Sequence, residues 1–410
     1  MKGKKKLINP IIEVLLTIAL LAVMVIGLSC LVENKSAYKK YNEFYKYNDE
    51  YEVLFFGSSH MMNAALPMEL WKKYGIKSYN IGNGAETIPV TYHVIRNALD
   101  YSEPKIIVMD LFYAYSDRLP TEISKELPHP FFDMVPLSKN KKEAIYDLFD
   151  DEQDRWSYLF DFSIYHSRWN ELTKEDFYYT DDGLGGASIL LTSYVPKAAD
   201  QDLQEPHDMA SKPKAYLKKI KELCDECGIR LICVMNPYAL WQESMTCNIN
   251  FEKEMSELGI EFIDLRDSGI VDIYADSADN MHINLCGERK VNDFYGEYLT
   301  ETGLLSTSPS VTDDKWNERY AVYIQRKADA LSACEDCESL LTDLNDPDFV
   351  FDITLRSEAK LTDTMKRMLD NAEAFENVSV ITDDDADKDI TIRIRDKDSD
   401  RYFIEKSFEA

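Results

Sequence analysis

The stretch EVLFFGSSHMM, Glu52 to Met62, decides the fold. Val53–Phe56 is continuously apolar and stops abruptly at Gly57, Ser58, Ser59 and His60. A short apolar run without alternation reads as a strand buried on both faces. Glycine and serine at its carboxyl end read as a tight turn into a helix, which carries a hydroxyl to the rim of a sheet. On these residues alone, Ser58 and Ser59 are helix caps or Ser59 is a nucleophile.

The same pattern repeats outward from this point. KSYNIGNG is a second strand ending in glycines, IPVTYHVIRNALDYS a helix and PKIIVMDLF a third apolar strand. Further on, KAYLKKIKELCDEC is a helix, IRLICVMNPY a strand, FEKEMSELG a helix, IEFIDLRD a strand and GERKVNDFYGEYL a last helix. Apolar strands alternating with amphipathic helices predict an α/β fold with a parallel sheet covered on both faces. Ligands bind such sheets at the carboxyl ends of the strands. Ser59, Gly82, Gly84 and the segment after FIDLRD all lie at those ends. An insert from Ser116 to about Ser211, rich in aromatics and poor in periodicity, is either a lid or substrate wall, or a helical subdomain with an aromatic core.

The chain has 410 residues, enough for one large domain and a smaller one, and 45% of them are hydrophobic. A formal charge of -28 excludes a nucleic-acid partner, which needs a basic footprint. Lys2, Lys4, Lys5 and Lys6 precede an uncharged run, Val14 to Val32, long enough to cross a bilayer as a helix. Lysines before the run and acidic sequence after it predict a single-pass anchor with the N-terminus in the cytoplasm and the body outside. A cleavable signal peptide and a lipoprotein site at Cys30 are rival readings. The expected organisation is cytoplasmic lysines and transmembrane anchor over 1–34, a stalk over 35–50, the main domain over 51–305, and a small α+β module over 306–410. That module has a long helical pattern from Trp316 to Leu344, then DFVFDITLR, VSVITDDD, DITIRIRD and RYFIEKSF as strands around one further helix.

Of eight cysteines, one lies in the anchor and seven outside, so at least one has no intrachain partner. The pairs Cys224/Cys227 and Cys334/Cys337 have zinc-like spacing but lie far apart on helical patterns, and core cysteines are the expectation. No metal and no organic cofactor is expected.

A serine nucleophile needs a base, an orienting carboxylate and oxyanion donors. Of six histidines, His93 lies in a helix, His129 between prolines, His207 in a polar loop, His166 in the insert, and His60 beside Ser59. His282, in SADNMHINLCG, follows the last strand of the main domain by a loop and Asp279 by three residues. That spacing lets the carboxylate meet one ring nitrogen while the other faces a serine.

FFGSSH, YNIGNGAET and DNMHINLCG, in this order, resemble the SGNH (GDSL-type) hydrolase family over roughly Tyr51–Leu305, with the insert poorly matched. The resemblance implies a flavodoxin-like three-layer sheet. It also implies Ser59 as nucleophile, Asp279 and His282 as its acid–base partners, and the amides of Ser59 and Gly84 as oxyanion donors, with Ala85 as alternative to Gly84. The family's third donor, an asparagine after the third strand, is missing. VMDLFYAYS stands there, and the carboxylate of Asp110 would repel an oxyanion. The departure resembles the family's membrane-anchored Gly-Ser-Ser-His branch, which moves acyl groups on teichoic acids and surface polysaccharides in the bacterial cell envelope. The resemblance thus implies an extracytoplasmic esterase or O-acyltransferase acting on a cell-surface glycan or acylated polymer. The alternative is a silent scaffold that binds a membrane-bound O-acyltransferase or glycan.

Overall fold

The apolar runs become strands because both faces of the sheet are covered. A computed structural model describes residues 10–32, 35–48, 50–119, 122, 129–135, 137–159, 162–177, 182–196, 208–238, 249–306 and 313–409. The lysines before the anchor and His207 lie outside the described residues. Helix α1 (Pro10–Val32) and helix α2 (Lys35–Lys46) lead into β1 (Val53–Phe56), α3 (Ser59–Met62), α4 (Pro67–Tyr74), β2 (Ser78–Asn80), α5 (Ile88–Ala98) and β3 (Ile106–Asp110). The insert holds α6 (His129–Met134), α7 (Lys139–Leu148), α8 (Glu152–Leu159) and α9 (Phe162–Tyr165). Then come α10 (Ser211–Cys227), β4 (Arg230–Met235), α11 (Phe251–Leu258), β5 (Glu261–Asp264) and α12 (Leu285–Glu301).

The five strands are parallel in the order β2-β1-β3-β4-β5, the doubly wound order of flavodoxin-like sheets. Side chains leave a strand alternately to either face. Leu54, Phe56, Ile107, Met109, Leu231 and Cys233 therefore join one core, under α5, α10 and α11. Val53, Phe55, Ile106, Val108, Ile232 and Val234 join the other, under α12. The expected three-layer α/β fold is what the chain adopts.

Three expectations change in detail. The stretch expected as a partly helical stalk is helix α2 packed on the domain, with Tyr41, Glu43 and Phe44 buried and Phe44 stacked on Tyr51 at 5.8 Å. An amphipathic helix beside an apolar core lies down on it. The insert is helical, and its aromatics extend the main core: Phe131, Phe132, Ile145, Phe149 and Tyr158 are buried in the same cluster as the sheet. The long helix expected over Trp316–Leu344 breaks: α13 (Asp314–Ala333) stops at Cys334, which is extended, and α14 (Cys337–Leu341) starts under an Asp336 cap.

The rest of the C-terminal module is β6 (Phe349–Leu355), α15 (Asp363–Ala372), β7 (Val378–Thr382), β8 (Ile390–Asp396) and β9 (Tyr402–Phe408). Its sheet runs β7-β6-β8-β9, parallel only between β6 and β7. Cys224 and Cys337 lie in different cores, so the two cysteine pairs do not converge on one site.

This module is joined to the main domain by buried charge. Arg289 of α12 reaches Glu69 of α4 at 2.9 Å, and Asp343 at 2.9 Å and Asp346 at 3.1 Å in the module. Lys327 of α13 reaches Asp346 at 2.5 Å and Asp348 at 3.2 Å. Burial and neighbouring Asp346 push the Asp343 carboxyl well up, whereas Asp346, despite burial, is held low by Lys327 and Arg289. Removing one partner of such a network strands buried charge. Arg289→Met is therefore expected to lose about 3–5 kcal/mol of stability, read as a lower denaturant midpoint in chemical unfolding.

Candidate active site

The turn after β1 is built around a buried carboxylate. Gly57 has φ +130°, and a Cβ there would collide with the Asp110 carboxyl group at the end of neighbouring β3. Glycine is required because backbone and carboxylate touch. Asp110 accepts from the Ser58 amide at 2.5 Å, the Ser58 hydroxyl at 3.1 Å and the Phe112 amide at 2.9 Å. Burial pushes its carboxyl up to about 6, against those hydrogen bonds. The Ser58 hydroxyl also accepts from the His60 amide at 3.2 Å and caps α3. Ser58 is thus the cap, and Ser59 is left at the first turn of the helix with its hydroxyl free to face elsewhere.

It faces His282. The Ser59 hydroxyl lies 2.8 Å from His282 Nε2, and His282 Nδ1 lies 2.9 Å from Asp279 Oδ2 and 3.1 Å from Oδ1. Burial would raise the Asp279 carboxyl, but the His282 ring and the amides of Met281 and His282 hold it at about 2. An ionised carboxylate on Nδ1 fixes the proton there and leaves Nε2 as an acceptor toward the serine. His93 pairs with Asp147 at 2.8 Å and His129 with Asp133 at 3.0 Å. Among the described residues, an imidazole bridging a carboxylate and a serine hydroxyl occurs at His282.

His60 does not join this line. It stacks on Phe112 at 3.8 Å and lies 5.3 Å from the His282 ring, centroid to centroid. Burial and the neighbouring His282 pull it down to about 3, so it stays neutral in the working range.

The histidine loop is held from several sides. Asn284 caps α12 through the Gly287 amide at 3.2 Å and donates to the Ala275 carbonyl at 2.8 Å. The returning end of the insert runs past both halves of the site. Gly185 O accepts from the Asn80 amide, Ser188 N donates to Met62 O, Tyr194 N donates to Ser277 O, and Leu190 O accepts from Leu285 N. The C-terminal module adds Arg367 and Asn371 on Asp272, while Ala275 sits in that module's core. Asn284 is readable from sequence as a cap that orients the histidine loop, as HINLCG suggests; the other supports have no local sequence signal. Apart from the Asn284 contacts, they join segments 83 to 126 residues apart in sequence.

The oxyanion side is less complete. The Ser59 amide, at the start of α3, has no acceptor among the described residues. The Gly84 amide is engaged by the Asn83 side chain at 2.9 Å. Neighbouring Ala85 stands at φ +52° with its amide unclaimed among the described residues. Asp110 is turned into the Gly57–Ser58 backbone and Asn236, after β4, donates to His60 O at 3.2 Å. Neither supplies the third donor. Beneath this loop, Asn80 holds Gly82 N at 3.1 Å and donates to the carbonyls of Met61 and Ala65, each at 2.9 Å. Lys40 of α2 donates to the Gly82 carbonyl. Burial lowers the Lys40 ammonium to about 8 and raises the nearby Glu86 carboxyl to about 8. Asn80 and Lys40 carried no sequence signal that set them apart.

No family model and no curated protein matches the chain in sequence. Among solved structures it is similar to a GDSL-like lipase from Bacteroides thetaiotaomicron, at TM-score 0.32 and 11% identity over 65% of this chain and 99% of that one. It is similar to a catalytic mutant of an acetylxylan esterase from Geobacillus stearothermophilus, at TM-score 0.32 and 9% identity over 62% and 95%. A lipase/acylhydrolase from Enterococcus faecalis aligns at TM-score 0.31 and 12% identity over 63% and 98%. Likeness this loose says nothing of activity, and the functional reading rests on the site itself.

Two outcomes follow from the turn. Gly57→Ala puts a methyl into the Asp110 carboxylate at a positive φ, and is expected to cost several kcal/mol, on the order of 3 or more, seen as loss of the cooperative thermal transition near the wild-type midpoint. Asp110 binds its proton more tightly folded, near pH 6, than unfolded, near the usual carboxylate value of about 4. Its contribution is therefore full below about pH 4 and is lost as pH rises through about 6. Denaturant midpoints measured from pH 4 to 7 should fall by this amount in wild type and lack that component in Asp110→Asn.

Proposed function

We propose that this chain is a membrane-anchored, extracytoplasmic serine esterase or O-acyltransferase of SGNH type. Its substrates are acyl esters, acetyl esters first among them, of a cell-surface polysaccharide or teichoic-acid-like polymer. The observation that carries the reading is the continuous line of Ser59 hydroxyl, His282 imidazole and Asp279 carboxylate at 2.8 Å and 2.9 Å. The anchor reading is supported by α1, 23 residues long and apolar, and the choice of a surface polymer by the Gly-Ser-Ser-His motif.

In this reading Ser59 Oγ attacks the ester carbonyl while its proton passes to His282 Nε2. Asp279 holds the Nδ1 proton and stabilises the imidazolium. The negative charge that forms on the carbonyl oxygen meets the Ser59 amide at the positive end of α3, together with the amide of Gly84 or Ala85. Use of Gly84 requires its amide to leave Asn83; Ala85 needs no such rearrangement. When the tetrahedral centre collapses, the departing sugar oxygen takes the proton from His282. The acyl group then stays on Ser59 until water or a second sugar hydroxyl, deprotonated by His282, removes it. Hydrolysis and transfer share every residue and differ in the acceptor.

A second reading, a catalytically silent scaffold for a membrane-bound O-acyltransferase or glycan, is favoured by the engaged Gly84 amide and the missing third donor. A fluorophosphonate probe separates the two. Labelling of the full chain in detergent, absent in Ser59→Ala, is expected for the enzyme, and a silent scaffold leaves both unlabelled. Asp279→Asn should fold normally yet lower ester turnover by roughly 10³–10⁴, because the imidazole then holds the wrong tautomer. Turnover equal to wild type in that variant would remove Asp279 from the mechanism.

A further inference from the structure

Helix α1 is bare over residues 10–28, whereas Ser29 and Leu31 are half-buried and Val32 is buried. At 1.5 Å per residue the bare part is about 28 Å long, close to the ~30 Å hydrocarbon core of a bilayer. What covers the last turn is the end of the insert. Helix α9 and the 3-10 turns His166–Asn170 and Lys174–Phe177 pack against α1. Arg168 Nη1 donates to the Val32 carbonyl at 2.6 Å. This collar begins where the bare part of α1 ends. If α1 spans a bilayer, the collar stands at the level where hydrocarbon gives way to headgroups.

The same collar carries exposed large apolar side chains. Trp169 is 71% exposed, Phe177 59% and Ile164 38%, one on each of the three short elements that touch α1. Elsewhere in the insert, Phe131, Phe132, Phe149 and Tyr158 are buried in the main core, while Leu137, Tyr146 and Trp156 are exposed outside this collar. Exposed aromatic and aliphatic side chains next to a spanning helix match the composition of membrane interfaces, where an indole keeps its N–H wet and its ring in lipid. Arg168, between Ile164 and Phe177 in sequence, is tied to the Val32 carbonyl and to Asp176. Lys174 and Glu171 are exposed on the same collar, polar tips suited to headgroup level.

We propose that the collar over residues 162–177 is a membrane-contact surface. Trp169, Phe177 and Ile164 sit among the headgroups and upper acyl chains of a phospholipid bilayer beside α1. The insert then works as a second, non-spanning attachment. It keeps the sheet from swinging on a single helix and fixes the height of Ser59 above the lipid. This rests on the anchor reading of α1.

The test uses the full chain in nanodiscs made with phosphatidylcholine, either plain or brominated on the upper acyl positions, with tryptophan emission as the readout. Trp71 and Trp316 are buried in the protein core and respond little. The exposed Trp156, and also Trp241, are replaced by Phe in both chains compared, and wild type below means this background. Bromine is expected to quench the wild-type emission clearly, and Trp169→Phe to remove half or more of that quenching. Quenching equal in wild type and Trp169→Phe overturns the collar. A collar covered by a second copy of the chain gives that result too, together with discs holding two chains. Alkaline carbonate extraction of the same membranes tests α1 separately. A chain that is extracted overturns both the anchor and the collar, whereas a chain that resists extraction without Trp169-dependent quenching overturns the collar alone.

Discussion

The contact between the Asp110 carboxylate and the Gly57–Ser58 backbone governs the site. Two neighbouring parallel strands end level with one another, and the carboxylate of one fills the space that any side chain at position 57 would need. It accepts three hydrogen bonds from the turn and from its own strand's exit. The turn cannot relax without leaving buried amides unpaired, which costs about 1–3 kcal/mol each. Ser58 is thereby committed to capping α3, and the hydroxyl that remains for chemistry is that of Ser59. Asp110, which in sequence looks like a defect in an oxyanion site, is a fixed strut beneath the turn that carries the proposed nucleophile.

The other half of the site depends on distant chain. The loop of residues 265–284 bearing Asp279 and His282 would have little reason to hold its shape alone. It is braced by the cap of α12, by the returning end of the insert, and by the C-terminal module through Arg367, Asn371 and the core around Ala275. The buried cluster of Arg289 and Lys327 with Glu69, Asp343 and Asp346 prevents that module from moving independently. Placing the histidine is a physical task for the last hundred residues, whatever else they bind.

The region after the anchor is similarly absorbed. Helix α2 carries Lys40 under the Gly82 carbonyl, so the segment after α1 supports the loop that bears Gly84 and Ala85. Helix α2 and the buried side chains of the insert share one core with the sheet that ends at this loop.

The succession of strands along the chain and the burial of the central ones were legible in the sequence, because a buried strand needs an unbroken apolar run and its covering helices need a 3.6-residue stripe. VLFF, IIVM and LICVM could be placed for that reason, and so could Ser59 at a strand end and the short-range pairing of Asp279 with His282. Local periodicity does not encode which distant groups meet. Asp110 read as a poor oxyanion donor because its partner, the Gly57 turn, is more than fifty residues away. Residues 35–50 read as a stalk because a charged amphipathic stretch looks alike in water and against a core. The 2.8 Å approach of His282 to Ser59, the buttressing of its loop and the joining of the insert to the main core were decided only when side chains far apart in sequence competed for the same buried space.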